Sequence, residues 1–341
     1  MSNDSTLSGR LSFSEGLWLR NSNLSSGSAN DIWADRIQSL EPVATHNTQD
    51  YYEIGRRAKV GVTTDPTDYR VQFQENLHNS EIDMYLAGVN PTTGSGYYAS
   101  NIPTQNITAY VVRRNTSDSV DEEIAVDGCR VTEISYTFNI NGACTADYTL
   151  MGSSGSYYHV AGSYVHPLWG TYDNITPGGI HGKDARISFS ANNAANKAYR
   201  LQRFVIRVQY PEQTVRELGR RAIVGKLVDS PNVTVEFDVL PADFQPHDVF
   251  FPVSNDGGVA KRVLSQPQTV DVFINVYDPD QGESSTVLKS FAIPNCKPTS
   301  NSPVSARVRS LTTSRWSLTN VSEDTLDTGG LRVSKTELTA A

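Results

Sequence analysis

One nine-residue segment of this chain occurs twice. Residues 53–61 have the sequence EIGRRAKVG, and residues 217–225 have the sequence ELGRRAIVG. The similarity continues without a gap over 53–74 and 217–238, where ten of 22 positions are identical. Two unrelated segments of this length would share about one or two residues. Because a repeat predicts a repeated structural unit, this feature limits the fold more than any other in the sequence.

Further matches lie upstream of the motif and in the same order. RIQ at 36–38 corresponds to RLQ at 200–202. RLSFS at 10–14 resembles RISFS at 186–190, which implies an insertion around LWLRNSNLSSGS in the first copy. We therefore align RLSFS with RISFS as the first strand of each copy.

A third block lies downstream, where 107–132 aligns with 274–299 without a gap. The shared pairs are Ile107 and Ile274, Tyr110 and Tyr277, Ala125 and Ala292, Cys129 and Cys296, and Thr132 and Thr299. The preserved order of all blocks predicts two homologous domains. We place them at 1–152 and 178–341, the second with a C-terminal tail, and a connector rich in Gly, Ser and Tyr at 153–177.

Most segments alternate apolar and polar residues, which is typical of β-strands. YRVQFQ at 69–74 and RLQRFVIRVQY at 200–210 are examples. SEIDMYLAG at 80–88 instead predicts a short helix, with Ser80 and Asp83 as its N-terminal cap and Gly88 in its C-terminal turn. The sequence therefore predicts a mainly β fold: two tandem β-sandwich or barrel-like domains, each with one short helix.

Composition and charge exclude several classes of protein. The formal net charge of −8 over 341 residues gives no overall attraction for nucleic acid. No apolar run approaches the length of a membrane span, and the N-terminus lacks the layout of a secretory signal. The three cysteines, Cys129, Cys144 and Cys296, match no zinc-binding spacing and are too few for a disulfide framework, which fits a reducing compartment.

Residue patterns for catalysis or metal binding are missing from the sequence. The six histidines form no cluster, and neither G-x-S-x-G nor a glycine-rich phosphate-binding loop occurs. We place the adjacent carboxylates Glu122 and Glu123 on a solvated loop, since the second copy does not repeat them. DPDQGE at 278–283 fits a hairpin turn better than a calcium site, because the remaining ligands are missing. We expect no enzymatic activity, no cofactor and no metal.

The glycines and charged residues of the repeated motif are the candidates for contacts between domains or subunits. They are Glu53, Gly55, Arg56 and Arg57 in the first copy, and Glu217, Gly219, Arg220 and Arg221 in the second. The paired arginines can form salt bridges within their own domain, or their bidentate geometry can hold a carboxylate of a neighbouring one. A nucleic-acid patch is a weaker alternative, since no aromatic residues are interleaved with the arginines.

The order of these motifs resembles that of the tail tube proteins of long-tailed bacteriophages, of the siphophage-like type. YYEIGRRAKVG followed by CRVTEISYTFNI carries the resemblance in the first copy, and VRELGRRAIVG followed by CKPT carries it in the second. The inner-tube proteins of contractile tails and of type VI secretion share that fold. The resemblance covers both halves of the chain and is concentrated in about a third of it. It implies that both predicted domains are tail-tube-like.

The resemblance implies a structural virion protein. Most members have one domain and form hexameric rings, so a duplicated chain implies a homotrimer that closes a pseudo-hexameric ring. If each domain gives four strands to a shared β-barrel, the ring has about 24 strands, a diameter of roughly 48 Å and a channel of about 36 Å, wide enough for duplex DNA. Stacked rings would form the tail tube that conducts DNA during ejection, and acidic residues in the channel would repel DNA.

Partners and location follow from the same resemblance. The chain is expected to bind itself in trimeric rings that stack into a tube, with loops at 75–100 and 113–124 as candidates for ring-to-ring contacts. Tape-measure, tail-tip and terminator proteins are further expected partners. Double-stranded DNA would pass through without specific binding, and no membrane partner is expected. We expect assembly in the host cytoplasm and a final location in the tail of the virion.

A carbohydrate-binding or adhesion protein is the alternative function, because tandem β-sandwiches with exposed aromatic residues often bind glycans. Such a protein would stay monomeric or form small oligomers, whereas a tube protein forms rings or filaments. An enzyme such as a glycosidase has little support, because its pair of catalytic carboxylates is missing from the sequence.

Overall fold

The computed structural model describes most of the chain, with gaps at both termini and between the two copies. The described ranges are 15–24, 31–34, 36–46, 48–51, 61–64, 67–77, 81–91, 93–114, 120–159, 180–191, 197–198, 201–215, 225–239, 249–251, 253–256, 259–262, 267–278, 286–305, 313–321 and 330–338. Every structural statement below concerns these residues.

The first half of the described chain consists of eleven strands and one short α-helix. The strands are β1 Glu15–Asn21, β2 Asp31–Ala34, β3 Ile37–Thr45, β4 Thr48–Tyr51, β5 Gly61–Thr64, β6 Asp68–Asn76, β7 Gly96–Tyr98, β8 Ile107–Arg114, β9 Val120–Asn139, β10 Thr145–Gly152 and β11 Ser154–His159. The helix α1 is Glu81–Leu86, and a 3₁₀ turn covers Ala99–Thr104.

The second half repeats this succession with small changes. Its strands are β12 Ala185–Ala191, β13 Lys197–Ala198, β14 Leu201–Gln209, β15 Glu212–Val215, β16 Gly225–Val228, β17 Asn232–Val239, β18 Val253–Asp256, β19 Val259–Arg262, β20 Val270–Tyr277, β21 Val287–Ser305, β22 Thr313–Asn320 and β23 Arg332–Ser334. A 3₁₀ turn at Gly182–Asp184 precedes β12.

Strand pairing is the same in both halves. The first half has a four-stranded layer in the order β3-β6-β10-β9, and the second half has β14-β17-β22-β21. β9 also pairs with β14, so the two layers join into one eight-stranded layer. Core residues match across it, since Phe73 lies opposite Tyr148 in the first half and Phe237 lies opposite Trp316 in the second.

A second layer packs over each four-stranded layer and is built in the same way twice. It has the order β2-β1-β8-β9-β11 in the first half and β13-β12-β20-β21-β23 in the second. The long strands β9 and β21 belong to both layers, because their first halves pair in one layer and their second halves in the other. The prediction of a mainly β fold with two tandem β domains is therefore confirmed. The domain bounds at 152 and 178 stay predictions.

Two β-bulges occupy equivalent positions in the two copies and explain the short sequence matches. One lies at Gln38 in RIQ and at Gln202 in RLQ, where the register shifts by one residue. The other lies at Thr132 and Thr299, and each threonine hydroxyl donates a 3.2 Å hydrogen bond to a carbonyl oxygen of the neighbouring strand. The repeated C-x-x-T sequence thus encodes a bend where the long strand changes layer.

Pairing registers correct two of the sequence alignments. RISFS lies in β12, whose counterpart by pairing is β1, so its partner in the first copy is Gly16–Arg20 and not 10–14. RLSFS itself lies outside the described residues. Ile107 faces Cys129 and Val270 faces Cys296, so Ile107 corresponds to Val270 rather than Ile274. The second hairpin therefore has four more residues than the first.

The predicted helix is present and ends where the sequence indicates. Gly88 adopts a φ of +73°, which favours glycine, and its N–H donates to the carbonyl oxygen of Tyr85. Asp83 is buried and contacts Tyr148, while Ser80 lies outside the described residues, so the predicted N-terminal cap stays a prediction. In the second copy the described helical residues are Val249 and Phe250.

One other local expectation was wrong, because Glu122 and Glu123 lie within β9 and not in a loop. β9 ends at Asn139, and Ile140 after it lies in a turn and is exposed. Residues 154–159, at the start of the predicted connector, form β11 and pair with β9.

Candidate assembly interface

The predicted contact residues of the repeated motif lie outside the described residues. These are Glu53, Gly55, Arg56, Arg57, Glu217, Gly219, Arg220 and Arg221. The flanking residues form two-stranded hairpins, in which Tyr51 pairs with Gly61 and Val215 pairs with Gly225. In the second hairpin Val215 and Leu227 are exposed by 40% and 62%. The roles of the motif residues stay predictions.

The junction between the two copies is a β-ladder. β14 and β9 pair antiparallel from Arg203 opposite Asn139 to Gln209 opposite Glu133. Further hydrogen bonds lie at both ends, since the N–H of Tyr210 donates to Thr132 (2.9 Å) and that of Ile140 donates to Gln202 (3.2 Å). The two copies therefore share one continuous sheet, in which strand edges of the first copy are satisfied by the second.

Aromatic rings pack across the same junction. Phe291 of β21 lies 4.9 Å from the ring of Tyr136 and 5.9 Å from that of Phe138, centroid to centroid. Phe138 also contacts Phe204 edge-on at 6.3 Å. All four rings are buried, so the apolar side of the ladder is continuous with the cores of both copies.

A second strand addition links the copies in the other layer. β7 of the first copy pairs with β23 of the second, with Tyr97 opposite Val333. The N–H of Ala99 donates to Leu331, and the N–H of Lys335 donates to Ser95, both at 2.9 Å. The C-terminal strand therefore lies between β21 and β7 and connects the two copies.

A buried polar cluster lies behind these strands. The Lys289 ammonium of β21 forms an ion pair with Asp83 of α1, and neither side chain is more than 1% exposed. The Tyr148 hydroxyl lies 2.9 Å from a carboxylate oxygen of Glu75 and also contacts Asp83. A hydroxyl has one proton, so both contacts are hydrogen bonds only when one of the two carboxyls is itself protonated.

Burial governs the ionisation of this cluster. It lowers the pKa of Lys289 to about 7, while the charge of Glu75 opposes the shift. Burial also raises the pKa of Tyr148 well above its ordinary value. The ammonium stacks 4.8 Å from the ring centroid of Tyr136, which adds a cation–π contact. Sequence reasoning missed this cluster, although Lys289 stands in an otherwise apolar and small stretch.

Both ends of the eight-stranded layer have an open edge in the described structure. β3 pairs there with β6 alone, and the end of β21 from Ser300 to Ser305 pairs with β22 alone. By the repeat, β3 is the counterpart of β14, and β21 is the counterpart of β9. The two open edges, on β3 and on the end of β21, therefore correspond to the edges of β14 and β9 that pair at the junction inside the chain.

The face of the eight-stranded layer that points away from the core is polar. Its charged residues in the described strands are Arg70, Arg130, Arg203, Arg207, Lys297 and Arg315, and Glu41, Asp68, Glu133, Asp147, Glu236 and Asp238. Six positive and six negative charges balance. Two of the pairs are salt bridges, Arg207 with Glu133 at 3.2 Å and Arg315 with Asp238 at 2.8 Å.

The two adjacent carboxylates that the sequence singles out do not lie side by side. Glu122 and Glu123 are adjacent in a strand, so their side chains lie on opposite faces, and Glu122 forms a 3.2 Å salt bridge with Arg113. No group of three histidine, cysteine or acidic residues within the described ranges is placed to hold a metal. The described helices include none with the length and apolar character of a membrane span. All three cysteines are buried free thiols.

No protein-family model and no curated protein matches the chain. Among solved structures it is similar to a chain of the anti-feeding prophage (AFP) baseplate, with a TM-score of 0.32 and 10% identity over 42% of this chain and 92% of that chain. It is also similar to the Hcp1 protein from the E. coli EAEC 042 pathovar (TM-score 0.26, 13% identity, 45% and 95% covered) and to an Hcp protein (0.25, 12%, 44% and 94%). All three TM-scores are below 0.5.

Proposed function

We propose that the protein is a structural subunit whose copies join head to tail into a trimeric, pseudo-hexameric ring, and that stacked rings form the tail tube of a bacteriophage virion. DNA passes through this tube during genome ejection. The sequence motifs that resemble tail tube proteins support the virion assignment. The strand pairing supports the ring.

One observation carries the ring: among the described residues, the junction between β9 and β14 has an open counterpart at each edge of the eight-stranded layer. If β21 of one copy meets β3 of the next as β9 meets β14, Ser302 lies opposite Val43. Such a head-to-tail contact is heterologous, so it closes a ring when the rotation per copy divides a full turn. Three copies with eight strands each give the 24 strands expected for a channel that admits duplex DNA.

The junction between copies is weaker than the one inside the chain. The edge strands of this junction contain Pro42 in β3 and Pro303 in β21, and proline has no N–H to donate to a ladder. Proline at a strand edge also limits pairing with wrong partners. Free copies therefore stay separate until several weak contacts form together in a closed ring.

The polar face of the eight-stranded layer forms the wall of the channel in this arrangement. Because its described charges balance, the wall is close to neutral and not acidic as the net charge of the chain suggested. In salt bridges such as that of Arg315 with Asp238, the positive side chain is paired with a carboxylate and is less available to bind a DNA phosphate. DNA slides along such a wall because the wall has no net positive charge to hold it.

Tape-measure, tail-tip and terminator proteins are the partners that a tube of this kind requires, and they belong to the same proposal. Ring-to-ring contacts come from the exposed hairpin of β15 and β16. The two ranges expected from the sequence are less suited, because 75–100 includes the buried helix α1 and the paired strand β7, and 113–124 includes the ends of β8 and β9. A two-stranded hairpin alone is marginally stable, so an exposed one gains most from docking on another ring.

Cryo-electron microscopy of the purified full-length chain at increasing concentration tests the ring. We expect hollow particles with threefold symmetry, six similar lobes and a channel about 36 Å wide. A monomer that shows no central hole at any concentration and that binds a glycan array would favour the carbohydrate-binding alternative and overturn the proposal.

A charge exchange tests the register of the junction between copies. Val43→Asp together with Ser302→Asp places like charges opposite each other and should abolish rings. Val43→Asp together with Ser302→Lys places opposite charges there and should restore them. Equal ring formation by the two double variants would show that the edges do not meet in this register.

A further inference from the structure

The first domain has an apolar cavity at its open edge, which we call the edge cavity. Its volume is about 220 Å³, and it lies between β3, β6, β9 and β11. Pro42, Tyr69, Ile124, Val126 and Gly155 are among its lining residues, and all but Val126 are only half-buried. The cavity therefore leaves apolar surface in contact with water that burial would remove.

The second domain has the same place in its fold, but there it is filled. The register equates the lining residues with Ile206, Val233, Phe291, Ile293 and Leu331, in the same order. None of these five residues is more than 2% exposed. Two equivalent sites in one chain thus differ because one is covered and the other is open.

Residues of the first domain cover the filled site of the second domain. Tyr136 of β9 contacts Phe291, and its hydroxyl lies 3.3 Å from that of Tyr97 in β7. β7 itself adds to the edge of β23. The cover of the second domain therefore consists of the end of a long strand and of a short strand that extends the outer layer.

The second domain has a counterpart for each part of this cover. The end of β21 corresponds to the end of β9, with one extra residue in β21 between Ser302 and Ser305. β19 is the counterpart of β7, because it begins as many residues before β20 as β7 begins before β8. β11 is the counterpart of β23. In the described residues, β19 pairs with β18 alone and β11 pairs with β9 alone.

We infer that the edge cavity is the docking site for the second domain of another copy of this chain, with the end of β21 over the cavity and β19 added to the edge of β11. The contact inside the chain supports this choice of occupant, because there Tyr136 of β9 packs on Phe291 and β7 extends the outer layer beyond β23. The inference rests on the proposed ring and adds a second contact to it.

Paired cysteines test the docking separately from the ring. The register of β7 with β23, carried over to β19 and β11, places Ala260 of one copy opposite Tyr157 of the next. Opposed residues of antiparallel strands have Cα atoms about 4.5–5.5 Å apart, which a disulfide can span. The native cysteines are all buried, so they do not compete.

The experiment combines Ala260→Cys with Tyr157→Cys in the full chain, oxidises assembled rings and measures covalent species by non-reducing electrophoresis. We expect the yield of covalent dimers and closed trimers to be more than tenfold that of a control variant. The control combines Ala260→Cys with Ser154→Cys, which lies three residues from Tyr157 along β11. Rings that form without preferential crosslinking would overturn the docking and leave the ring proposal intact. If neither pair of variants nor the native chain forms rings, the proposed function itself fails, and the docking fails with it.

Discussion

The two domains repeat one pattern of strands but fill equivalent core positions with opposite chemistry. In the first domain Tyr148 is within hydrogen-bonding distance of two buried carboxyls, and Lys289 of the second domain completes the cluster. In the second domain Trp316 takes the place of Tyr148 and stacks on Phe250 at 5.1 Å and on Phe237 at 6.4 Å. The group around Tyr148 is polar and includes Lys289 of the other domain, whereas the group around Trp316 is aromatic and consists of second-domain residues.

This difference indicates how a duplicated chain distinguishes its two junctions. The cluster in the first domain needs Lys289 from the second domain. The residue of the first domain that corresponds to Lys289 is Glu122 of β9. A first domain therefore has no lysine at this position to supply to a neighbouring domain. A buried ion pair adds little stability but can fix which partner docks. The polar cluster therefore favours docking of the first domain on its own second domain, while apolar contacts would serve the edge between copies in the proposed ring.

Removing the centre of the aromatic core should have the largest effect. Trp316→Ala leaves a cavity among Phe237, Phe250 and Phe251, and we expect it to lower the free energy of unfolding by about 4 kcal/mol. Chemical denaturation followed by circular dichroism measures this, with Trp316→Phe as the milder control. A loss below about 1 kcal/mol would mean that this core is loosely packed.

Breaking the polar cluster should cost somewhat less. Lys289→Met leaves Asp83 buried without its cation, and we expect a loss of about 3 kcal/mol in the free energy of unfolding. Adding Asp83→Asn to Lys289→Met removes the stranded charge and should recover a large part of that loss. If the double variant is no more stable than the single one, the ion pair does not couple the two domains.

The same cluster predicts a pH dependence that the aromatic core lacks. Burial lowers the pKa of Lys289 from 10.5 to about 7, so between these values the unfolded chain binds more protons than the folded chain. Stability due to this lysine therefore rises with pH. We expect the wild type to gain about 1–2 kcal/mol over Lys289→Met between pH 7 and pH 9, measured by denaturation at each pH. A difference that stays constant or falls over this range would contradict the assignment.

The sequence predicted the repeat, the strands and the position of the helix, because alternation and turn residues are local signals. The sequence alignment misplaced the first strand and shifted the match of 107–132. β1 and β12 share the spacing of their apolar residues but few identities, so only their pairing with β8 and β20 shows that they correspond. The cluster of Lys289 with Asp83 joins residues far apart in the chain, and no local pattern indicates such a contact. The open edges follow from which strands lack a neighbour, which sequence reasoning could only infer from a resemblance.

The smallest effect should come from the exposed salt bridge across the junction inside the chain. Arg207 and Glu133 lie 3.2 Å apart, but their side chains are 44% and 39% exposed, so water and salt screen the pair. Arg207→Gln should lower the free energy of unfolding by less than about 1 kcal/mol, and 1 M NaCl should reduce even that difference. The corresponding positions between copies, Val43 and Ser300, carry no charges at all. A loss above about 2 kcal/mol would mean that this charge pair holds the domains together more than the shared ladder and the rings of Phe138 and Phe291 do. The inferred junction between copies, which has no such pair, would then lack its main source of stability.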